Sequence, residues 1–293
     1  MARPLSGHDF DAVVVNRIDF DRRGLIVAEE SGRVVGFAHA GFGPDQPDGP
    51  SQRLDRLLGT VAMLVVDPAE DVDSIGRVLM TAAEAYLGSL GAQVLYAGGQ
   101  SPLDPFYRAI YGGSEWAGIL DEHVAFRRVV ESAGYNVVSR SCHLSIDLAA
   151  PEVRDPKAPI LRRQARLEVA EDARPAGWWE ALAAHPGSLA RYRLIGKADD
   201  VEIAHATTWD MAAFGRHDGR ALVGLRGVEV AAPYRRKGFG RHLVAEILRQ
   251  ARGEWAEAIL VATDEANRPA LALYQSVGFR IVGGASLYRK AGA

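Results

Sequence analysis

The chain has 293 residues, 48% of them hydrophobic, and a formal net charge of −3. That is long enough for two ordinary domains with cores of their own. A slightly acidic balance excludes a general nucleic-acid or membrane-surface binder, because such proteins carry a basic excess over a whole face; any basic site here has to be local.

The opening MARPLSGHDF lacks the apolar core of a signal peptide, and no apolar run approaches the roughly 20 residues that span a bilayer. A cytoplasmic protein with no nucleic-acid or membrane partner is the expectation. Further on, MLVVDPAEDVDSIGRVL (Met63 to Leu79) reads as a strand, a proline turn, a loop ending in glycine and a helix. The stretch from Tyr96 to Trp116 is rich in aromatic and glycine residues, and either lines a cleft or packs on its own aromatics. The single Cys142 excludes an internal disulfide and forms no metal-ligand spacing with His143, so a buried structural thiol is expected.

Near the midpoint AAPEVRDPKAPI (Ala149 to Ile160) breaks the alternation of strand and helix signals and reads as a linker. Beyond it, Trp178 and Trp179 fall in a predicted helix, and Arg191 to Met211 has the pattern of a hairpin turning at KADD. Val228 to Val230 then ends a strand, and a helix is predicted over Gly240 to Arg252. EAILVATD (Glu257 to Asp264) is a buried strand, RPALALYQSV (Arg268 to Val277) a short helix, and Gly278 to Gly284 a closing strand.

Sliding the second half over the first by about 164 positions puts Gly76 on Gly240 and MLVVDPAEDVDSIGRVL on GVEVAAPYRRKGFGRHL. AHA recurs at Ala38 to Ala40 and Ala204 to Ala206, and the interval Asp104 to Tyr111 matches Asn267 to Tyr274. A duplication is the reading, with an α/β mixed sheet, mainly antiparallel and flanked by helices, in each half. The division expected is a degenerate copy at 1–148, a linker at 149–159 and a working domain at 160–293. Opposite Arg235, Lys237 and Gly238 the first copy carries Asp71, Asp73 and Ser74, whose carboxylates repel a phosphate.

The turn RRKGFGRH has the chemistry of a phosphate site. Gly238 and Gly240 let backbone N–H groups approach a ligand, and the helix that follows offers unpaired N–H groups and a positive dipole end. Arg235, Arg236, Lys237 and Arg241 add charge for two or three charge-assisted hydrogen bonds. Neither G-x-x-x-x-G-K-[ST] nor the dinucleotide G-x-G-x-x-G pattern is present.

Arg235-Arg236-Lys237-Gly238-Phe239-Gly240, written R-x-x-G-x-G, resembles the acetyl-CoA-binding signature of the GNAT superfamily of N-acetyltransferases. About 28 residues on, NRPALALYQSVGF (Asn267 to Phe279) resembles the second signature of that superfamily. The two in this order and spacing are far more specific than either alone, and the weaker first half gives a tandem arrangement similar to that of mycothiol synthase.

What the resemblance implies falls on numbered positions. Val228 to Val230 would splay from the neighbouring strand and pair with the pantetheine arm, the N–H of Val230 facing the thioester oxygen as an oxyanion donor. Residues Arg235 to Arg241, Phe239 among them, would hold the pyrophosphate, and Asn267 would position the cofactor near its thiol. Tyr274 would protonate the leaving thiolate. Glu229, alternating with the two valines and so facing away from them, is the candidate general base. Many members carry a glutamate on the next strand, where this chain has Ala262. The implied activity is acetyl transfer from acetyl-CoA, without a metal, to the primary amine of a small-molecule or peptide acceptor. The alternative is a non-catalytic acyl-CoA-binding or scaffold protein.

Overall fold

The computed structural model describes residues 7–290, apart from 18, 48–50, 52, 101–102, 104–105, 108–110, 112, 116, 176–188 and 212–218. Trp178 and Trp179 therefore lie outside the described residues, as do nine of the 21 residues from Tyr96 to Trp116. Two compact units are present. Among the described residues, one is built from the chain up to Ser141 together with Gly283 onward, the other from Cys142 to Pro175 and Leu189 to Val282.

In the first unit β1 (Leu25–Glu30), β2 (Arg33–Pro44) and β3 (Leu54–Val66) form an antiparallel meander. Helix α1 (Val72–Ser89) then crosses to β4 (Val94–Ala97), which lies parallel to β3. The short β5 (Ile119–Leu120), α2 (Val124–Ser132) and β6 (Tyr135–Asp147) follow. The apolar stripe of α1, including Leu79, Met80, Ala83 and Leu87, is buried with Phe42, Leu64 and Phe126 in one core, as its helical spacing requires.

The second unit repeats the plan. After α3 (Ala158–Gln164), strands β7 (Ala165–Ala170), β8 (Leu189–Gly196), β9 (Glu202–Asp210) and β10 (Leu222–Val230) pair antiparallel in order. Helix α4 (Phe239–Gly253) crosses to β11 (Ala258–Asp264), parallel to β10, and α5 (Arg268–Ser276) and β12 (Arg280–Lys290) complete the chain. Its core gathers Leu243, Val244 and Ile247 of α4 with Ala204, Leu225 and Val261 of the sheet. Each unit is thus a mixed, mainly antiparallel sheet flanked by helices. Cys142 is half-buried beside this core rather than inside it.

The compact units do not follow the two halves of the sequence. Strand β6 begins in the first unit and passes into the second after Ser141, where it neighbours β11. Strand β12, expected to close the second half, instead completes the first unit's sheet, with Tyr288 opposite Ala97 and Ala285 opposite Leu120. The linker residues 149–159 belong to the second unit.

The internal repeat runs deeper than its short sequence matches. Gly76 of α1 lies against Val129 of α2, and Gly240 of α4 lies against Leu273 of α5, leaving no room for a Cβ in either place. Past these helices Gly134 and Gly278 both hold positive φ, +85° and +106°. These pairs set His123 to Tyr135 over Asn267 to Phe279 at an offset of 144, so α2 is the counterpart of α5. The interval Asp104 to Tyr111, partly outside the described residues, is not the segment that packs on Gly76. On this register Asn267 meets His123 and Tyr274 meets Val130.

Candidate active site

Strand β10 carries the first part of the site. Its parallel pairing with β11 ends at Leu225 opposite Val261, and β10 runs on for five residues to Val230. Just before that end the register against β9 shifts between Arg226 and Glu229, with Gly227 at φ +58°. This is a β-bulge, which raises local twist and re-aims the side chains that follow. Val228 and Val230 are half-buried against the core of the second unit, whereas the Glu229 side chain is 73% exposed, the alternation expected from its place between them.

The chain leaves β10 through a single 3-10 turn, Ala232–Tyr234, and enters α4 through two left-handed residues, Arg236 at φ +61° and Gly238 at φ +99°. Gly238 is the N-cap of α4, and no side chain caps the helix. Its first N–H groups are therefore open to an external acceptor beside a cluster of cations. In the first unit the same corner is closed from within. Helix α1 begins three residues earlier on the register of Gly76 and Gly240, and its N-cap Asp71 accepts a hydrogen bond from the Ser74 N–H at 3.1 Å, with Asp73 in the first turn.

One groove of about 1100 Å³ in the second unit joins these features, lined by Val228, Glu229, Val230 and Tyr274 together with Gly238, Gly240 and Arg241. Arg235, Arg236 and Asn267 also line it. Arg235 donates from Nε to the Val230 carbonyl at 2.8 Å, tying the loop to the strand end. Asn267 is the N-cap of α5, its Oδ1 accepting from the Ala270 N–H at 3.2 Å. Two residues of the basic signature are not in the lining. Lys237 lies over the Tyr234 ring, Nζ 5.7 Å from its centroid, and Phe239 is buried in the core with its ring edge-on to the same tyrosine.

Tyr274 is 5% exposed, and burial pushes its phenol up to about 12. It is therefore a fully protonated donor at neutral pH. Complete transfer of that proton to an alkanethiolate, near 8.5 in water, would be uphill, so any part this phenol plays at a sulfur is that of a hydrogen-bond donor. Glu229 stands opposite His205 of β9, with Oε2 4.0 Å from His205 Nε2, and His205 Nδ1 is hydrogen-bonded to Glu202 at 2.8 Å. His205 is thus a half-exposed group between two carboxylates. His39, its sequence match in the first unit, is fully buried, stacked on Phe106 and hydrogen-bonded to Tyr107 at 3.0 Å.

Of the lining residues not singled out in the sequence, Pro269, Ala270, Ala272 and Leu273 lie within the second signature, whereas Asp155, Pro156 and Lys157 lie in the stretch read as a linker. The signal was the charge of RDPK, which was absorbed into a domain boundary. Among the described residues no helix is long and apolar enough to cross a membrane, and no cluster of three or more metal-ligating side chains occurs.

Comparison with known proteins agrees with the repeat. The model of the acetyltransferase (GNAT) family matches twice, over residues 3–112 and 160–279. No curated protein matches significantly. Among solved structures, a GCN5-related glucosamine N-acetyltransferase region of a fungal multi-domain GH3 β-N-acetylglucosaminidase superposes at TM-score 0.63 and 16% identity, covering 90% of this chain and 32% of that one. A tandem GNAT protein from the clavulanic acid biosynthesis pathway gives 0.62 and 14% identity over 94% of this chain and 86% of its own. A GCN5-related N-acetyltransferase from Sphaerobacter thermophilus gives 0.58 and 15% over 93% and 82%. At such identities the likeness is one of fold.

Proposed function

The chain belongs to the acetyltransferase (GNAT) family in its tandem form, a family of acyl transferases that generally use acetyl-CoA, and from that premise we propose that it is an acetyl-CoA-dependent N-acetyltransferase whose working site is the groove of the second unit. The observation that carries the reading is the uncapped, cation-flanked N-terminus of α4 opening into the same groove as Tyr274 and Glu229. The donor set fits a diphosphate: open helix N–H groups, a left-handed glycine and Arg236 and Arg241 beside it. Bound acetyl-CoA supplies an acyl thioester, the electrophile for an amine.

The chain's own residues then divide the work. The bulged end of β10 presents backbone to the pantetheine arm, with the Val230 N–H as the donor to the carbonyl oxygen as negative charge develops there. Glu229 takes the proton that the acceptor ammonium must lose before its nitrogen attacks, directly or through water. As the C–N bond forms and the C–S bond breaks, Tyr274 donates a hydrogen bond to the sulfur and steadies the charge it gathers, and the proton that the nitrogen sheds in becoming an amide passes to the departing thiolate. Asn267 holds the start of α5, and with it Tyr274, against the groove. The acceptor is a primary amine of a small molecule or peptide.

In the first unit Val66 matches Val230, but the side chains given chemistry have no like counterparts. Val65 falls opposite Glu229 and Val130 opposite Tyr274, and the Asp71 carboxylate fills the helix end that a phosphate would need. This supports a degenerate copy that does no chemistry. A second reading, acyl-CoA binding without turnover, is favoured by Ala262, a buried alanine on β11 where many members of the family place a glutamate. Titration calorimetry with acetyl-CoA tests binding: no heat with the wild type, or equal affinity after Arg235→Ala with Gly238→Asp, refutes the proposal. Thiol release that depends on an added amine, measured over a broad amine panel, supports catalysis; binding with no release from any of them supports the second reading.

A further inference from the structure

The cations at the phosphate end of the groove are not equally free to meet a ligand. Arg235 is held by the Val230 carbonyl, and Lys237 is drawn over Tyr234. Arg241 donates to the Arg154 carbonyl at 3.3 Å and faces the Asp155 carboxylate at 3.9 Å. That leaves two cations in the lining with no partner among the described residues, Arg236 and Lys157. Arg236 belongs to the loop that cradles the diphosphate. Lys157 does not.

Lys157 is held in place by its backbone. It is the N-cap of α3, its N–H donates to Asp155 Oδ1 at 3.0 Å, and α3 is anchored by Leu161, a buried core residue. The Lys157 stem passes 3.7 Å from where a Cβ on Gly238 would sit, and Leu161 passes 3.5 Å from it. The connecting segment therefore packs beside Gly238, the N-cap of α4, and adds the Lys157 side chain to the lining of the groove there. A nucleotide whose diphosphate lies on α4 and whose thioester lies at Val230 carries its ribose 3′-phosphate outward from the diphosphate, on the side away from the thioester.

Resting on the acyl-CoA reading above, we propose that Lys157, supplied by the segment that joins the two halves of the chain, is the residue that recognises the ribose 3′-phosphate of the acyl donor. Asp155 works with it as a positioning residue. One oxygen fixes the Lys157 backbone, the other faces Arg241, and its own charge is answered there instead of opposing the phosphate.

The test compares CoA with 3′-dephospho-CoA by titration calorimetry on the full chain, for wild type, Lys157→Ala and Lys157→Arg, with thermal melts as the folding check. One charge-assisted hydrogen bond corresponds to about a tenfold change in affinity or more. The expectation is that wild type binds CoA about tenfold more tightly than the dephospho form, that Lys157→Ala erases the difference by weakening CoA alone, and that Lys157→Arg keeps it. Equal weakening of both ligands by Lys157→Ala, or unchanged affinity for both, overturns the assignment while leaving the acyl-CoA reading intact. Failure of the wild type to bind either ligand overturns that reading and the assignment with it.

Discussion

Gly238 offers the sharpest test of how the groove holds phosphate, because space and backbone conformation make separable demands there. A methyl group at this position would meet Leu161 Cδ1 at 3.5 Å and the Lys157 Cδ at 3.7 Å, which is ordinary contact. Crowding therefore contributes almost nothing. The backbone is another matter, since φ is +99° and an L-residue in the left-handed region costs about 1–2 kcal/mol. Gly238→Ala has two ways to respond. The loop keeps its shape and the unit loses that amount of stability, about 2–8 °C in melting temperature for a domain of this size. Alternatively the loop relaxes, the first N–H groups of α4 turn from the ligand, and the same energy appears as lost affinity, about tenfold for 1.4 kcal/mol.

Arg236 already sits at φ +61°, so the loop carries one strained residue before the substitution adds another. Relaxation is accordingly the expected response, with acetyl-CoA affinity falling about tenfold in titration calorimetry. Gly238→Asn provides the control, because asparagine tolerates the left-handed region, and it restores most of the affinity. If Ala and Asn variants both bind and melt like the wild type, the left-handed turn is not what presents the helix N-terminus, and the structural argument for the phosphate site fails.

Three further outcomes follow from the same geometry. Tyr274→Phe lowers kcat about 10- to 100-fold, the worth of one hydrogen bond to developing charge, and leaves the dissociation constant for acetyl-CoA within twofold, roughly; an unchanged kcat removes Tyr274 from the chemistry. Glu229→Gln lowers kcat on the order of 10²-fold with acetyl-CoA affinity retained, checked by steady-state rates and titration, and wild-type turnover would leave proton removal to another group. His39 gives the pH dependence. Burial, and secondarily Arg17, push its imidazole down to about 3, so between that value and the ordinary 6.5 the unfolded chain holds a proton that the folded chain lacks. The stability it contributes is complete above about pH 6.5 and is lost as pH falls toward 3, up to several kcal/mol, so melting temperature declines on acidification and His39→Gln flattens that decline; parallel curves for the two proteins would refute it.

The second half was legible because its signals are local. R-x-x-G-x-G must lie between a strand and a helix, and NRPALALYQSVGF contains its own cap, helix and exit glycine, all of which recur as β10, α4, α5 and the turn at Gly278. The first half was legible only as far as Leu79. Beyond α1 the offset between the copies falls from 164 to 144, a shift of about one loop, and any comparison at fixed offset reads Asp104 to Tyr111 where the true counterpart of α5 is α2. No local property announced the fate of the closing strands either. An alternating strand pattern says which face is buried but not which sheet it joins, so β12 was expected beside its own half. The recurrence of AHA sets His39 on His205, but the strand registers do not: His205 lies opposite Glu229, whereas Val65, the counterpart of Glu229, lies opposite Phe37.

The two copies also separate what the fold needs from what the ligand needs at the strand-to-helix corner. Gly76 and Gly240 both sit where a Cβ would crowd the next helix, meeting Val129 at 2.5 Å and Leu273 at 2.8 Å, so a side chain at either would force a neighbour to shift. The charge is not required by packing, since the first unit makes its corner with Asp71 and Asp73 and no arginine. A helix N-terminus has to find acceptors somewhere, and in the first unit it finds one in its own Asp71. In the second unit the helix starts three residues later, behind two left-handed residues, and brings no carboxylate of its own to its first N–H groups. An end left unsatisfied by its own chain and surrounded by cations is stable only because water or an anion completes it. The groove beside it, which Lys157 and Tyr274 also line, is where the acyl-CoA proposal would put that anion.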